Sequence, residues 1–519
     1  MHLKNVHTHL REHWAFYVVL TLGVYINFLR ITGLNFERVS GDLGDTRFII
    51  AIVEYNYQWL IGTYGKYWDG FFMYPDREVI SYSDNLLGSL PIYATFRILG
   101  FNYLNAFQLL MLTSHILNFS FAYYCFKKPG THTISAAAGA YIFAFSIAIM
   151  GIYNHPQYCF RFAIPVFFMW LQFYLNTNKL KYLFYAAFAL VYQFYLGIYL
   201  GYFLAVCAMI YLIVHLITRY KYKQEIKKII LDAIRVLPVS LLLFPLFYHY
   251  FLRNQVTGYY TNYDFYMQTV PRLSSYAKAF EGSYFWAPLS AVDVHSQFPW
   301  LHQMFPGLLI YLSILTAIFM AFKGSHKILL PLVSLTILLC FTTYENGHTM
   351  YGYLMKIPGI KSARVVSRII LLAVFFAAWL VNIECDTLLE RYKNKSNLIA
   401  LIVIPFLLMD NYYHKESLKT FTKSECEQRV NALKIKFEQQ DIGKEEKIIA
   451  FLNEDTLSSY LHQIDAMLCA LKIGRRTVNG YSSTCHRYYG AFWRHPNQES
   501  LEIWLKRMNI GPERVLMIK

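Results

Sequence analysis

GIYLGYFLAVCAMIYLIVHLIT, residues 197–218, contains no Asp, Glu, Lys or Arg, and it runs straight into RYKYK at 219–223. Wound as a helix at about 1.5 Å per residue it is about 33 Å long, and the hydrocarbon core of a bilayer is about 30 Å thick. An apolar stretch of that length, closed by Arg and Lys, reads as a membrane span with its basic end in the cytoplasm. Similar blocks lie near 16–31, 103–126, 132–150, 158–176, 181–196, 231–252, 304–322, 328–343, 369–387 and 397–412, giving about eleven spans. The composition agrees: 56 % of the 519 residues are hydrophobic, 18 % aromatic and only 15 % charged, against about 25 % charged in a soluble domain. So much apolar mass excludes disorder. Eight Cys in this length also exclude a small disulfide-held scaffold.

The predicted fold class is an α-helical polytopic membrane protein with a small C-terminal extracytoplasmic α/β domain. Residues 1–412 form the transmembrane part, with outer loops 32–102 and 253–303, and residues 413–519 form the tail. Orientation follows from charge. Lys127 and Lys128, Lys179 and Lys181, Arg219, Lys221, Lys223, Lys227 and Lys228, Lys323 and Lys327, and Arg391, Lys393 and Lys395 fall in alternate loops. The positive-inside rule puts these loops in the cytoplasm, together with the N-terminus, and puts the tail outside. The net charge of +16 is therefore dispersed between spans, which argues against nucleic-acid binding. No small-x-small cleavage pattern follows the first block, so it reads as an uncleaved helix. Leu86 to Leu99 is apolar but short and holds Pro91 and Arg97, so it reads as re-entrant or interfacial. In the tail, KIIAFLN (447–453) and VLMI (515–518) read as buried strands, and 424–440, 457–472 and 498–508 as amphipathic helices.

The sharpest local signal is in the first outer loop. Residues 41–47 read Gly-Asp-Leu-Gly-Asp-Thr-Arg. The glycines allow a tight turn. If a helix starts at Asp45, Asp42 sits near its N-cap and Arg47 can steer one of the carboxylates. Glu54, Tyr55, Tyr57, Trp59, Trp68, Asp69, Tyr74 and Asp76 follow, then Tyr82-Ser83-Asp84-Asn85. Aromatic faces stack on sugar rings, carboxylates accept bonds from hydroxyls, and a held carboxylate can act as a general base. The same residues also read as a solvated loop with one capping Asp.

The runs GDLGDTRF, YWDGFFMYP (67–75) and YSDNLLGSLPIY (82–93) resemble bacterial polytopic members of the GT-C glycosyltransferase superfamily. NHPQ (154–157), PGIKSARVVSR (358–368) and RRTVNGYSS (475–483) fit the same pattern in the same order. After Ser483 the chain departs from it, reading TCHRYYG. The resemblance implies an enzyme of the bacterial inner membrane that moves a sugar from a polyprenyl-phosphate donor to an outer-face envelope glycan or lipid-linked acceptor, such as an O-antigen. The anomeric carbon is inverted, and an acidic residue of the first loop is the base: Asp45 or Asp42, with Asp45 favoured. No cofactor is expected; two Asp three apart could ligate a divalent ion, but no oxygen cage accompanies them. Implied partners are the lipid-linked donor, the glycan acceptor, membrane lipids, a synthase of the lipid-linked sugar and a flippase.

A leaving phosphate needs cations. Arg364 and Arg368 are spaced so that a helix would place both on one face, before a span and on the outer side, with Lys361 nearby. Arg161 lies just inside an apolar block after His155-Pro156-Gln157, and it reads either as functional or as snorkelling to head groups. His155 reads as a ligand for phosphate or sugar, or as a helix-entrance cap. Arg47, Tyr82 and Asp84 complete the expected substrate-binding set. Glu281, Asp293, His295 and His302 in the loop 253–303 match no zinc motif, and its aromatics, Tyr259, Tyr260, Phe265, Tyr266 and Trp300 among them, line a groove or form an interfacial belt. Glu345 and His348 open the next outer loop. Cys125, Cys159, Cys207, Cys340 and Cys385 read as packing residues, and Cys426, Cys469 and Cys485 allow one disulfide. A transporter or lipid flippase is the competing class, but such proteins place charge at the midplane and often carry paired repeats.

Overall fold

The computed structural model describes residues 10–128, 130–218, 223–257, 263–357, 360, 363–440, 448–453 and 459–519. Arg219, Lys221, Tyr259, Tyr260 and Lys361 lie outside them, as do the side chains of 223–225. The chain is a multi-pass membrane protein. Seven helical stretches among the described residues are long and apolar enough to cross a bilayer: Trp14–Thr32, Tyr103–Phe126, Thr133–Ile152, Pro156–Thr177, Ile198–Thr218, Ile226–Val256 and Val366–Arg391. Three shorter apolar helices, Leu180–Leu196, Leu308–Phe322 and His326–Phe341, accompany them. The last apolar block folds as the helix Ser396–Asp410, interrupted by Pro405. All eleven blocks are thus mainly helical, and four of them form helices of only 15 to 17 residues.

The bundle is built around α1 (Thr133–Phe145), which is wholly buried, and α2 (Ile370–Arg391), which is buried from Ile370 to Asn382. Gly139 allows their close approach: a Cβ there would lie 2.8 Å from the Ala378 carbonyl oxygen. The stretch Ile226–Val256 is peripheral, with Leu241 and Phe244 exposed as lipid-facing side chains. Leu90–Ile98 is a short helix ending in the exposed Ile98 and Leu99, too short to span.

A second hydrophobic core joins the loop 32–102 to the tail. Arg38–Ser40 pairs antiparallel with Thr420–Thr422, with Val39 opposite Phe421. Ile448–Phe451 pairs parallel with Val515–Ile518, as the two apolar runs foretold. The helices Lys423–Gln439, Ser459–Lys472 and Gln498–Arg507 match the three amphipathic stretches. The amide N–H groups of Met73 and Tyr74 donate to the carbonyls of Asn479 and Thr477, and Trp504 Nε1 donates to the Tyr74 carbonyl at 2.9 Å. No disulfide forms: Cys426 and Cys469 are buried free thiols, and Cys485 is a half-buried one. Cys340 is exposed rather than packed.

Candidate active site

Gly41 and Asp45 set the geometry of the first loop. Gly41 has φ +103°, and a Cβ there would collide with Thr46 Oγ1. The chain turns there, Asp42 Oδ1 accepts the Gly44 N–H at 3.1 Å, and a 16-residue helix begins at Asp45. The N-cap is Gly44, not Asp42. Asp45, in the first turn, feels the positive end of the helix dipole. Tyr481 Oη donates to its Oδ1 at 2.8 Å, and His155 Nδ1 lies 3.3 Å from its Oδ2.

Asp45 stands where two chambers meet. The larger, about 800 Å³, is lined by Tyr82, Asp84, Tyr199, Arg253, Lys356 and Arg364 among others. The smaller, about 450 Å³, is lined by Asp42, Asn154, Glu281, Trp300, Gln303 and Lys419 among others. Asp45, His155, Val365 and Arg368 line both. Arg368 bonds Tyr158 Oη and lies over the Tyr158 and Tyr199 rings at 4.4 and 5.4 Å. Arg364 Nη1 donates to the Ser483 carbonyl at 3.2 Å. Arg253 Nη1 donates to the Ser81 carbonyl at 3.0 Å. Burial raises the Asp45 carboxyl above its ordinary pKa; the Tyr481 bond opposes this, the Asp42 charge adds to it, and Arg368 and Arg364 pull it down. Burial, and then the Arg368 charge, hold His155 well below its usual value, so the imidazole is neutral. His155 therefore meets Asp45 as a neutral imidazole.

No family model and no characterised protein matches the sequence. Structure does give a match: the apo crystal structure of the Archaeoglobus fulgidus oligosaccharyltransferase aligns with a TM-score of 0.54, over 96 % of this chain and 68 % of that one, at 12 % identity. The chain shares the fold of that oligosaccharyltransferase. A second structure, the same organism's oligosaccharyltransferase AglB with an inhibitory peptide and a dolichol-phosphate, aligns at 0.49, over 96 % and 69 %, also at 12 % identity.

Within this fold, Asp45, Tyr82, Asp84, His155, Arg364 and Arg368 come together on one cleft. Arg364 and Arg368 do so without sharing a helix: residues 363–365 are irregular, with Val365 extended, and Val366–Ile369 is a 3-10 turn. Asp84 Oδ1 accepts the Ile198 N–H at 2.8 Å at the start of Ile198–Thr218, and burial raises its carboxyl. Tyr82 Oη donates to Asp76 at 2.5 Å. Burial pushes Asp76 up to about 6.

Arg47 and Arg161 stay out of the cleft. Arg47 is fully buried and turned into the tail, where it bonds Asp465 and the Leu43 carbonyl. It therefore does not steer Asp45, as the sequence reading expected. Arg161 lies in a separate pocket behind His155. His302 is structural: Nδ1 bonds Ser275 Oγ and Nε2 bonds the Gln268 carbonyl, both at 2.8 Å, while burial lowers its pKa to about 4. Asp293 and His295 pair with each other on the surface, and Glu345 accepts from the Leu273 N–H. Among the described residues, no three His, Cys, Asp or Glu side chains are grouped to hold a metal. Sequence reasoning missed Tyr481, Arg253, Tyr158, Tyr199 and Lys356. Tyr481 falls inside the quoted RRTVNGYSS; no local signal marks the others.

Proposed function

We propose that this chain is an integral-membrane glycosyltransferase that transfers a sugar from a polyprenyl-phosphate donor to a hydroxyl of an envelope glycan or lipid-linked acceptor, with inversion. The observation that carries this is Asp45, anchored by Tyr481 and His155 at the junction of a cationic chamber and a mixed polar one. The cationic chamber, with Arg253, Arg364, Arg368 and Lys356, suits the donor phosphate. The smaller chamber, with Asp42, Glu281, Gln303 and Trp300, suits a hydroxyl-rich acceptor.

The acceptor oxygen attacks the anomeric carbon as Asp45 takes its proton. The bond from that carbon to the phosphate oxygen breaks, and its electron pair stays on the lipid phosphate beside Arg368 and Arg364. A raised carboxyl pKa makes Asp45 a stronger base, and Arg368 and Arg364 oppose the rise. With the N-terminus in the cytoplasm, the cleft opens on the outer face and the tail lies outside, as the loop charges require.

Mass spectrometry of envelope glycans from cells with and without the chain tests the reaction class. The expected result is a sugar missing from one glycan and its lipid-linked donor accumulating. A lipid-linked precursor trapped on the cytoplasmic face, with every sugar still present, would instead indicate a flippase.

A further inference from the structure

Arg161 is 1 % exposed and deep in apolar surroundings. Its Nη2 donates to the Ala144 carbonyl at 3.2 Å, and the guanidinium lies 4.9 Å from the Phe143 ring centre. Nε and Nη1 meet no partner among the described residues. They sit on a pocket of about 40 Å³ that no described Asp or Glu lines. Two further polar atoms on its wall, Gln108 Oε1 and Ser40 Oγ, are also without partners there. Water can meet hydrogen-bonding demands in such a space, but it does not neutralise a buried charge. The rest of the wall is mostly apolar, with Thr32, His115 and Tyr153 among its polar side chains, and Phe107, Met111 and His115 come from one face of Tyr103–Phe126. That helix starts directly after the first loop, so the pocket lies at the level of one leaflet, the outer one in the proposed orientation.

We propose that this pocket binds the anionic head, a phosphate or a carboxylate, of a single-chain lipid arriving from that leaflet. The guanidinium takes the charge, with an unpartnered N–H, Nε or Nη1, as a charge-assisted donor to an oxygen of the head group. The apolar wall takes the start of the chain. His155 and Tyr158 line this pocket and also the catalytic cleft, so an occupant here packs behind the residue that faces Asp45. The inference does not depend on the transferase reading.

The test is native mass spectrometry and thermal unfolding of the delipidated full chain with lysophosphatidic acid, inorganic phosphate or oleyl alcohol. The expected result is a retained lysophosphatidic acid adduct with a higher unfolding midpoint, and no such effect from the other two. Arg161→Met, which keeps the bulk without the charge, weakens this binding about tenfold or more. Met111→Trp, which fills the pocket and keeps the charge, also removes it. Arg364→Ala, in the cleft, leaves it intact. Equal binding of oleyl alcohol or phosphate, or equal binding by Arg161→Met, overturns the proposal. So does binding lost in Arg364→Ala and kept in Arg161→Met, which would place the lipid in the catalytic cleft.

Discussion

Replacing Asp465 should loosen the tail from the first loop. Arg47 has no exposed surface, and its guanidinium bonds the Asp465 carboxylate, the Leu43 carbonyl at 2.6 Å and the Leu461 carbonyl at 3.5 Å. Asp465, itself 3 % exposed, also binds Arg429 through Nε at 3.1 Å and Nη2 at 2.6 Å. Asp465→Leu keeps the volume and strands Arg47 as a buried cation, which costs about 3–5 kcal/mol. At about 1.4 kcal/mol per tenfold, the lower figure raises the open population by more than about a hundredfold. Hydrogen exchange in the helices Lys423–Gln439 and Ser459–Lys472 should accelerate by that factor. Arg47→Met combined with Asp465→Leu should recover most of the protection, because the charge is removed with its partner. Arg429→Ala should cost only about 1 kcal/mol, since that side chain is 29 % exposed. An exchange rate changed by less than about threefold in Asp465→Leu would refute the claim that this ion cluster clamps tail to loop.

The remaining predictions concern the cleft. Tyr481→Phe removes the bond that lowers the Asp45 pKa, so the acid limb of the rate profile moves to higher pH; an unmoved limb would separate Tyr481 from the base. Arg368→Gln should lower kcat/KM for the donor about 10- to 100-fold while thermal unfolding stays near that of the native chain. Asp76 has a folded pKa of about 6 against an ordinary 3.8, so the folded state holds the proton more tightly and stability falls as pH rises from about 4 to about 6, by up to about 3 kcal/mol. Asp76→Asn should flatten that slope in unfolding measured across this range.

The membrane helices were readable because each buries or exposes an apolar block whose length the bilayer sets. The tail strands were readable because KIIAFLN and VLMI are short β-type runs that need a sheet. Asp45 was readable from its loop, since glycines and paired Asp force a turn there. Arg47 was misread. Side chains two apart on a helix point to opposite sides, so a helix starting at Asp45 turns Arg47 away from it. Its true partner, Asp465, is 418 residues distant. Tyr481 is 436 residues from Asp45. Such pairings are made by tertiary packing, and a single sequence carries no local trace of them. Arg364 and Arg368 reached the cleft by a route the sequence did not suggest, through irregular chain and a 3-10 turn rather than one helix face.

The most direct test of the central claim is transfer of labelled sugar from a polyprenyl-phosphate donor in membranes carrying the native chain, Asp45→Asn or Asp42→Asn at matched protein level. The account predicts that Asp45→Asn, which preserves the Tyr481 and His155 contacts in shape, loses about 10²- to 10⁴-fold in rate. Asp42→Asn, which holds a turn at the edge of the smaller chamber, should lose far less. Transfer undiminished in Asp45→Asn would contradict the account.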